Sequence, residues 1–337
     1  MTEQRIPGWL DKGAGRHFEK LLVANTLAGP VELSLHVITG RNDGPLLGMV
    51  GCIHGDEALT AMVYKSLLET IDPAKLAGRL AIIPVANPLA LAVFDRQTPE
   101  QHGNTDLHTV FPGNREKGNL THKIALALRD NLLDHVDAFV DFHCGGSGGR
   151  LQNRSDFEDS LSPDLRDQCL SLCRAFGAPF IHANNLAKTA TSYVNARGVP
   201  TCNAEAGGVY LCREHTDQYM EGMLRGLKGI MSALKMLPGG PPKPPRQLLF
   251  NFKDRLEVNP QSGGFLVSEY QEPSDLGKLI KSGTTLGEVV DLRTLQVSDR
   301  LVAPEDGYLF FSRYSGVVDA GTKAFALART GNSQWLD

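Results

Sequence analysis

The chain has 337 residues, 42% of them hydrophobic, enough for a full core in one large domain or two of unequal size. Its 34 basic and 38 acidic residues give a formal net charge of -4 with no long block of one sign, which excludes the basic footprint of a nucleic-acid binder. The polar N-terminus has no apolar signal core and no later run is long enough to span a bilayer, so a soluble cytoplasmic protein without membrane partners is expected.

Residues 32–38 (ELSLHVI) and 46–53 (LLGMVGCI) read as strands joined by a Gly/Asn/Asp turn. Leu59, Met62, Val63 and Leu67 recur at helical spacing and predict a helix over 57–70. A strand over 79–88 ends at Asn87-Pro88, and a polar, aperiodic stretch of nearly 30 residues follows to Asn119. Loops of that length are uncommon in compact domains and often functional. A helix over about 121–134 leads to DAFVDFH (137–143), an apolar strand. Ser162-Pro163-Asp164 starts a helix to about Phe176, with Ser162 as its cap. A short strand (APFIHA), a helix (TATSYVNARG), a strand over 199–208 and a helix over 212–236 complete the run.

This alternation predicts a layered α/β catalytic domain with a mixed sheet over 1–237. The Pro/Gly-rich segment 238–246 reads as a linker, and 247–337 as a small all-β unit of the barrel-sandwich type. Lys278 and Lys281 lack the hairpin-tip setting of a lipoyl or biotinyl carrier, so a packing or lid role is expected instead. The six cysteines form no CxxC pair and no disulfide framework, and Cys169 and Cys173, on one helix face, read as buried thiols.

Chemistry-bearing residues gather at three strand ends. His54 ends one strand and Glu57 follows in the expected first helical turn; His143 ends the second and Glu205 the third. Sites in open α/β sheets collect at such carboxyl ends. Two histidines and a carboxylate form a hydrolytic zinc set that leaves a position for water, which gives one Zn2+ per chain held by His54, Glu57 and His143. Asp56 competes with Glu57 but has an alternative use as a helix cap, and Cys144 adds nothing to a complete set. Glu205, between alanines and before two glycines, suits a general base with a raised pKa.

HGDE (54–57), NP (87–88), TPEQHGNTDL with VFPG (98–113), DFH (141–143) and EAGG (205–208), in this order, resemble the succinylglutamate desuccinylase/aspartoacylase family of the zinc carboxypeptidase group. The resemblance implies a zinc-dependent hydrolase of small N-acylated amines or amino acids. It makes His54, Glu57 and His143 the zinc ligands and Glu205 the catalytic base. It also makes Arg96 the group that polarises the scissile carbonyl, Asp106 the carboxylate orienting the first zinc histidine, and Asn87 a substrate contact. The family reads DLNRVFPG where this chain reads DLHTVFPG, so His108 and Thr109 stand where an Asn-Arg pair grips the substrate carboxylate. Threonine cannot replace an arginine fork. Either the substrate lacks the usual carboxylate or another residue binds it, with Arg115, Arg150, Arg154 and Arg197 as candidates. A metallocarboxypeptidase for short peptides and a non-catalytic metal-binding protein are the competing readings, and a homo-oligomer is left open.

Overall fold

The computed structural model describes residues 6–208 and 213–337. The first unit opens with a long antiparallel pair, β1 (Gly15–Thr26) and β2 (Gly29–Thr39), followed by β3 (Asn42–Gly51). Helix α1 (Leu59–Thr70) leads to β4 (Ala77–Ile83) and the short α2 (Pro88–Val93). Next come α3 (Leu120–Leu128), continued by a wider turn to Leu133, then β5 (Ala138–Cys144) and β6 (Gly149–Glu158). Helix α4 (Pro163–Phe176), β7 (Phe180–Asn184), α5 (Ala190–Asn195), β8 (Thr201–Gly207) and α6 (Arg213–Ala233) complete it.

The centre of the sheet runs β2-β4-β3-β5-β8-β6, with β4, β3, β5 and β8 mutually parallel and β2 and β6 antiparallel to their neighbours. The mixed α/β sheet expected from the alternating pattern is therefore present. One core layer packs α1, α4 and α6 on one face through Tyr64, Leu67, Leu172, Phe176, Leu227 and Ile230. The other places α3 and α5 on the opposite face through Ile124, Leu128 and Val194. The period-two alternation of a strand decides which residues of β5 serve which layer. Ala138, Val140 and Phe142 enter the first core, whereas Phe139 enters the second, and Asp141 and His143 continue the face of Phe139.

Strand β6 has no apolar alternation to announce it. Arg154, Asp156 and Glu158 are all buried in it: Arg154 and Asp156 neutralise each other through a two-point contact of 2.5 and 3.1 Å, and Glu158 accepts from the Leu186 N–H and the Ser160 hydroxyl, each at 2.7 Å. Helix α1 begins at Leu59, two residues later than expected, and Glu57 lies in the preceding turn, its N–H bonded to the His54 carbonyl at 3.2 Å. Neither Asp56 nor Ser162 caps a helix through its side chain, contrary to expectation. Asp56 instead accepts from the Ser147 N–H and hydroxyl at 2.8 and 2.9 Å, which fixes the loop after β5.

Beyond the proline-rich segment lie β9 (Gln247–Asn251), β10 (Arg255–Val258), β11 (Gly264–Ser268), β12 (Leu279–Ile280), β13 (Thr285–Asp291), β14 (Gln296–Val302), β15 (Gly307–Arg313), β16 (Gly316–Val318), β17 (Phe325–Arg329) and β18 (Gln334–Leu336). Strands β14-β13-β11-β16 form a separate antiparallel sheet. The others are continuous with the large sheet. Strand β9 pairs in parallel with β7, and β15 pairs with β6 at Phe311↔Leu151. The chain path divides at 238–246, but the hydrogen-bonded sheet does not. Lys278 and Lys281 are ion-paired with Asp275 and Asp306, each at 2.7 Å.

Candidate active site

The carboxyl end of β3 turns sharply. Cys52 adopts a left-handed φ of 48°, a conformation unusual for a non-glycine residue and frequent at functional sites. Gly55 then passes so close to α2 that a Cβ would lie 2.0 Å from the Ala90 carbonyl carbon. This turn aims His54 and Glu57 at one point. His54 Nδ1 lies 2.7 Å from Glu57 Oε1, and His143 Nδ1 lies 3.0 Å from Glu57 Oε2. The Cys144 backbone N–H also donates to Glu57 Oε2, at 3.2 Å.

Behind each histidine stands a second carboxylate. His54 Nε2 is 3.3 Å from Asp106 Oδ1, and His143 Nε2 is 3.2 Å from Asp141 Oδ1, close contacts that are not aligned as hydrogen bonds. This carboxylate–histidine arrangement leaves both Nδ1 atoms facing inward, as metal-binding histidines require. Donors on a tetrahedral zinc with bonds of 2.0–2.2 Å sit roughly 3.3–3.6 Å apart, so the triad needs only a small expansion to hold the ion. The charge also fits. Glu57, Asp106 and Asp141 crowd two buried histidines, and a divalent cation would neutralise that excess.

Burial opposes protonation of His54, but the Glu57 and Asp106 carboxylates outweigh it and raise its pKa. Burial likewise opposes the charge on Glu57, yet the two histidines hold its carboxyl well below the usual range. The Cys144 thiol is pushed up by burial and by Glu57, so it stays protonated and is a poor ligand.

Glu205 sits directly across from His143 in the β5–β8 register, on the same face as Asp141 and His143. Burial raises its pKa, against the opposing pull of Arg154, whose guanidinium lies 3.4 Å away. Arg96, from the long loop after α2, is half exposed at the rim. Its Nε donates to Asp106 at 3.0 Å and one terminal nitrogen is 3.4 Å from His54 Nδ1. These groups line a cavity of about 470 Å³.

His108 also enters the cavity. One nitrogen from each of His54, His108 and His143 lies within 4.8 Å of the others, a second set of donors able to hold a metal. His108 Nδ1 is 3.9 Å from Asp141 Oδ2. Burial and the neighbouring His143 pull its pKa down to about 3, so it is neutral. Glu57 bridges His54 and His143 at shorter range, which favours the His54–Glu57–His143 set.

Thr109 and Asn87 are not brought into the cavity. Thr109 Oγ1 donates to the Asp106 carbonyl at 3.0 Å, closing its own turn. Asn87 is fully buried, with Oδ1 accepting from the Ala90 N–H to cap α2 and Nδ2 donating to the Ile53 carbonyl. Its role is structural, because that turn has to be fixed against Gly55. Arg115 and Arg197 line a different and larger cavity of about 970 Å³, where they pair with Asp130 and Asp134. Arg150 is engaged by Glu272 at 3.8 Å and by the Tyr314 ring. Of the four arginines weighed as carboxylate binders, Arg154 alone reaches the site. Sequence reading missed Asp141, although strand periodicity in DFH already places it on the face of His143. It also missed Arg255, Arg313 and Lys323, which come from β10, β15 and the segment before β17 and carry no local signal.

The fold and donor set define a class: a layered α/β protein with a strand-end site able to hold a divalent metal. Residues 43–234 match the model of the succinylglutamate desuccinylase/aspartoacylase catalytic domain, and the chain belongs to that family, a family of deacylases. It is 31% identical over 173 residues to N-alpha-acetyl-L-2,4-diaminobutyric acid deacetylase from Halomonas elongata. That match covers 50% of this chain and 48% of the relative, so the similarity spans about half the relative's length. The fold is shared with the product-bound ectoine utilization protein EutE (DoeB) from Ruegeria pomeroyi, with TM-score 0.82, 24% identity and coverage of 95% and 97% of the two chains. It is shared equally with a succinylglutamate desuccinylase/aspartoacylase from Rhodobacter sphaeroides, with TM-score 0.80, 23% identity and coverage of 94% and 96%. No described helix is long and apolar enough to cross a membrane.

Proposed function

We propose that the chain is a zinc-dependent deacylase that hydrolyses the amide bond of a small N-acylated amino acid or amine. The observation that carries this reading is the convergence of His54, Glu57 and His143 within 2.7–3.0 Å contacts, with Glu205 paired opposite His143 on the next strand. His54, Glu57 and His143 would hold the ion, and Asp106 and Asp141 keep the two imidazoles turned toward it. Zinc bound there supplies a Lewis acid that polarises the acyl carbonyl and acidifies a water.

The protein's own groups do the rest. Glu205 takes the proton of the attacking water and returns it to the departing nitrogen, and its raised pKa matches both tasks. Arg154 holds the Glu205 carboxylate in place at 3.4 Å. Arg96, fixed by Asp106 at the rim, donates to the oxyanion that develops on the carbonyl oxygen. The Halomonas relative, a deacetylase of an N-acetylated diamino acid, supports the same reaction class.

Elemental analysis and a hydrolysis screen test the reading. About one zinc per chain is expected, with release of free amine from N-acyl amino acids. Glu205→Gln should retain the metal and lose roughly 10²–10⁴-fold in kcat, the usual worth of a general base. Turnover by metal-free protein, or full activity in that variant, refutes the scheme.

A further inference from the structure

The 106–113 loop offers no arginine to a substrate carboxylate, yet the cavity is not short of cations. Strands β10 and β15 contribute Arg255, Phe310, Phe311 and Arg313 to it, the segment before β17 contributes Lys323, and neither adds an acidic side chain. Most cationic groups of the cavity are already matched. Arg96 is paired with Asp106, Arg154 with Asp156 and Glu205, and Arg255 with Glu257.

Arg313 and Lys323 have no carboxylate in salt-bridge contact among the described residues. Arg313 spends its Nε on the Lys323 carbonyl, at 2.8 Å, and its terminal nitrogens lie against Gly148, close enough that a Cβ there would meet them at 3.3 and 3.4 Å. The Lys323 ammonium lies 4.4 Å from the centre of the Phe311 ring. Burial pushes the Lys323 amine down to about 8, with Arg255 and Arg154 adding to the effect and Glu257 and Glu205 opposing it. Burial lowers Arg313 as well. Both are half-buried on the cavity wall with no described carboxylate paired to them, so an arriving anion meets positive charge that is not already neutralised.

We propose that Arg313 and Lys323 bind the free carboxylate of the substrate, so that the C-terminal β unit, and not the 106–113 loop, recognises it. This rests on the deacylase reading and narrows it to N-acyl amino acids with an unmodified carboxylate. A guanidinium and an ammonium on the wall of one cavity supply the charge and donors that a carboxylate takes. Loop 145–148 lines the same cavity and touches both groups of residues. Asp56 holds it through Ser147 beside the zinc ligands, and Gly148 packs against Arg313.

The zinc-loaded protein and its Lys323→Gln and Arg313→Gln variants are assayed on N-acetyl amino acids and on the corresponding carboxamides. Zinc content and melting temperature confirm that each variant is folded. The wild type should prefer the acids. Each variant should lose about 10–100-fold in kcat/KM on the acids, mainly through KM, and under about 3-fold on the carboxamides. Lys323→Arg should retain more of the preference than Lys323→Gln. Calorimetric titration with glutarate gives an arm independent of turnover, so that failure of the deacylase reading is distinguishable from failure of this one. Glutarate should bind the variants about 10-fold or more weakly than wild type. Preference for carboxamides, equal acid kinetics in variants and wild type, or glutarate binding that is absent or unaffected by the substitutions overturns the proposal.

Discussion

Lys323→Met removes the half-buried ammonium while keeping an unbranched chain of similar length against Phe311. The folded chain holds this amine near 8 against an ordinary value of 10.5, chiefly because burial disfavours its charge. That gap corresponds to about 3 kcal/mol at neutral pH, reduced to roughly 1–3 kcal/mol because the side chain keeps some contact with water. With an unfolding entropy of about 2.1 cal/mol/K per residue, the variant should melt about 1.5–4 °C above wild type at pH 7. The pH dependence gives the sign. Between about pH 8 and 10.5 the unfolded chain keeps the proton that the folded chain has released, so wild-type stability rises relative to the variant across that window. Below pH 8 both states are protonated and the full cost is present. Thermal unfolding of both proteins from pH 7 to 10 should therefore show a gap that closes as the pH rises. A variant that melts at or below wild type at pH 7, or a gap independent of pH, refutes the idea that this lysine is a desolvated cation in the free protein.

Three further outcomes follow from the site. Asp141→Asn removes the charge behind His143 and should weaken zinc binding about 10–100-fold in a competitive chelator titration, without abolishing it. His108→Asn should leave zinc stoichiometry unchanged, because His54, Glu57 and His143 remain; loss of zinc in that variant would make His108 a ligand. Gly146→Ala forces a Cβ into a residue at φ 60° and to 2.6 Å from Asp56 Oδ2. It should destabilise the protein by about 1–3 kcal/mol in denaturant unfolding and lower kcat/KM through displacement of loop 145–148.

Much of the site is written locally. A strand end followed by HGDE places its two donors by the geometry of one turn, and DFH and EAGG place theirs by alternation along a strand. The errors arise where local chemistry had more than one outlet. Asp56 has the composition of a helix cap, but Ser147 competes for it from 91 residues away and wins with two hydrogen bonds. Asn87 was read as a substrate contact because it lies in a shared motif, whereas its amide is consumed in fixing α2 against the Gly55 turn. Strand β6 escaped detection because its buried charges cancel within the strand, which defeats a pattern based on hydrophobicity.

By itself the sequence determined the layered α/β order, and it singled out His54, Glu57, His143 and Glu205 at three strand ends, which the structure brings together in one cavity. Periodicity and strand-end spacing are properties of neighbouring residues, and a chain read alone contains them. Tertiary structure alone decided that β15, β17 and β10 extend the same sheet, and that Arg313 and Lys323 thereby line a cavity shared with His54, Glu57 and His143, more than a hundred residues earlier. Which cation lacks an acid partner depends on every charge packed around it, and that sum exists only once the strands are paired.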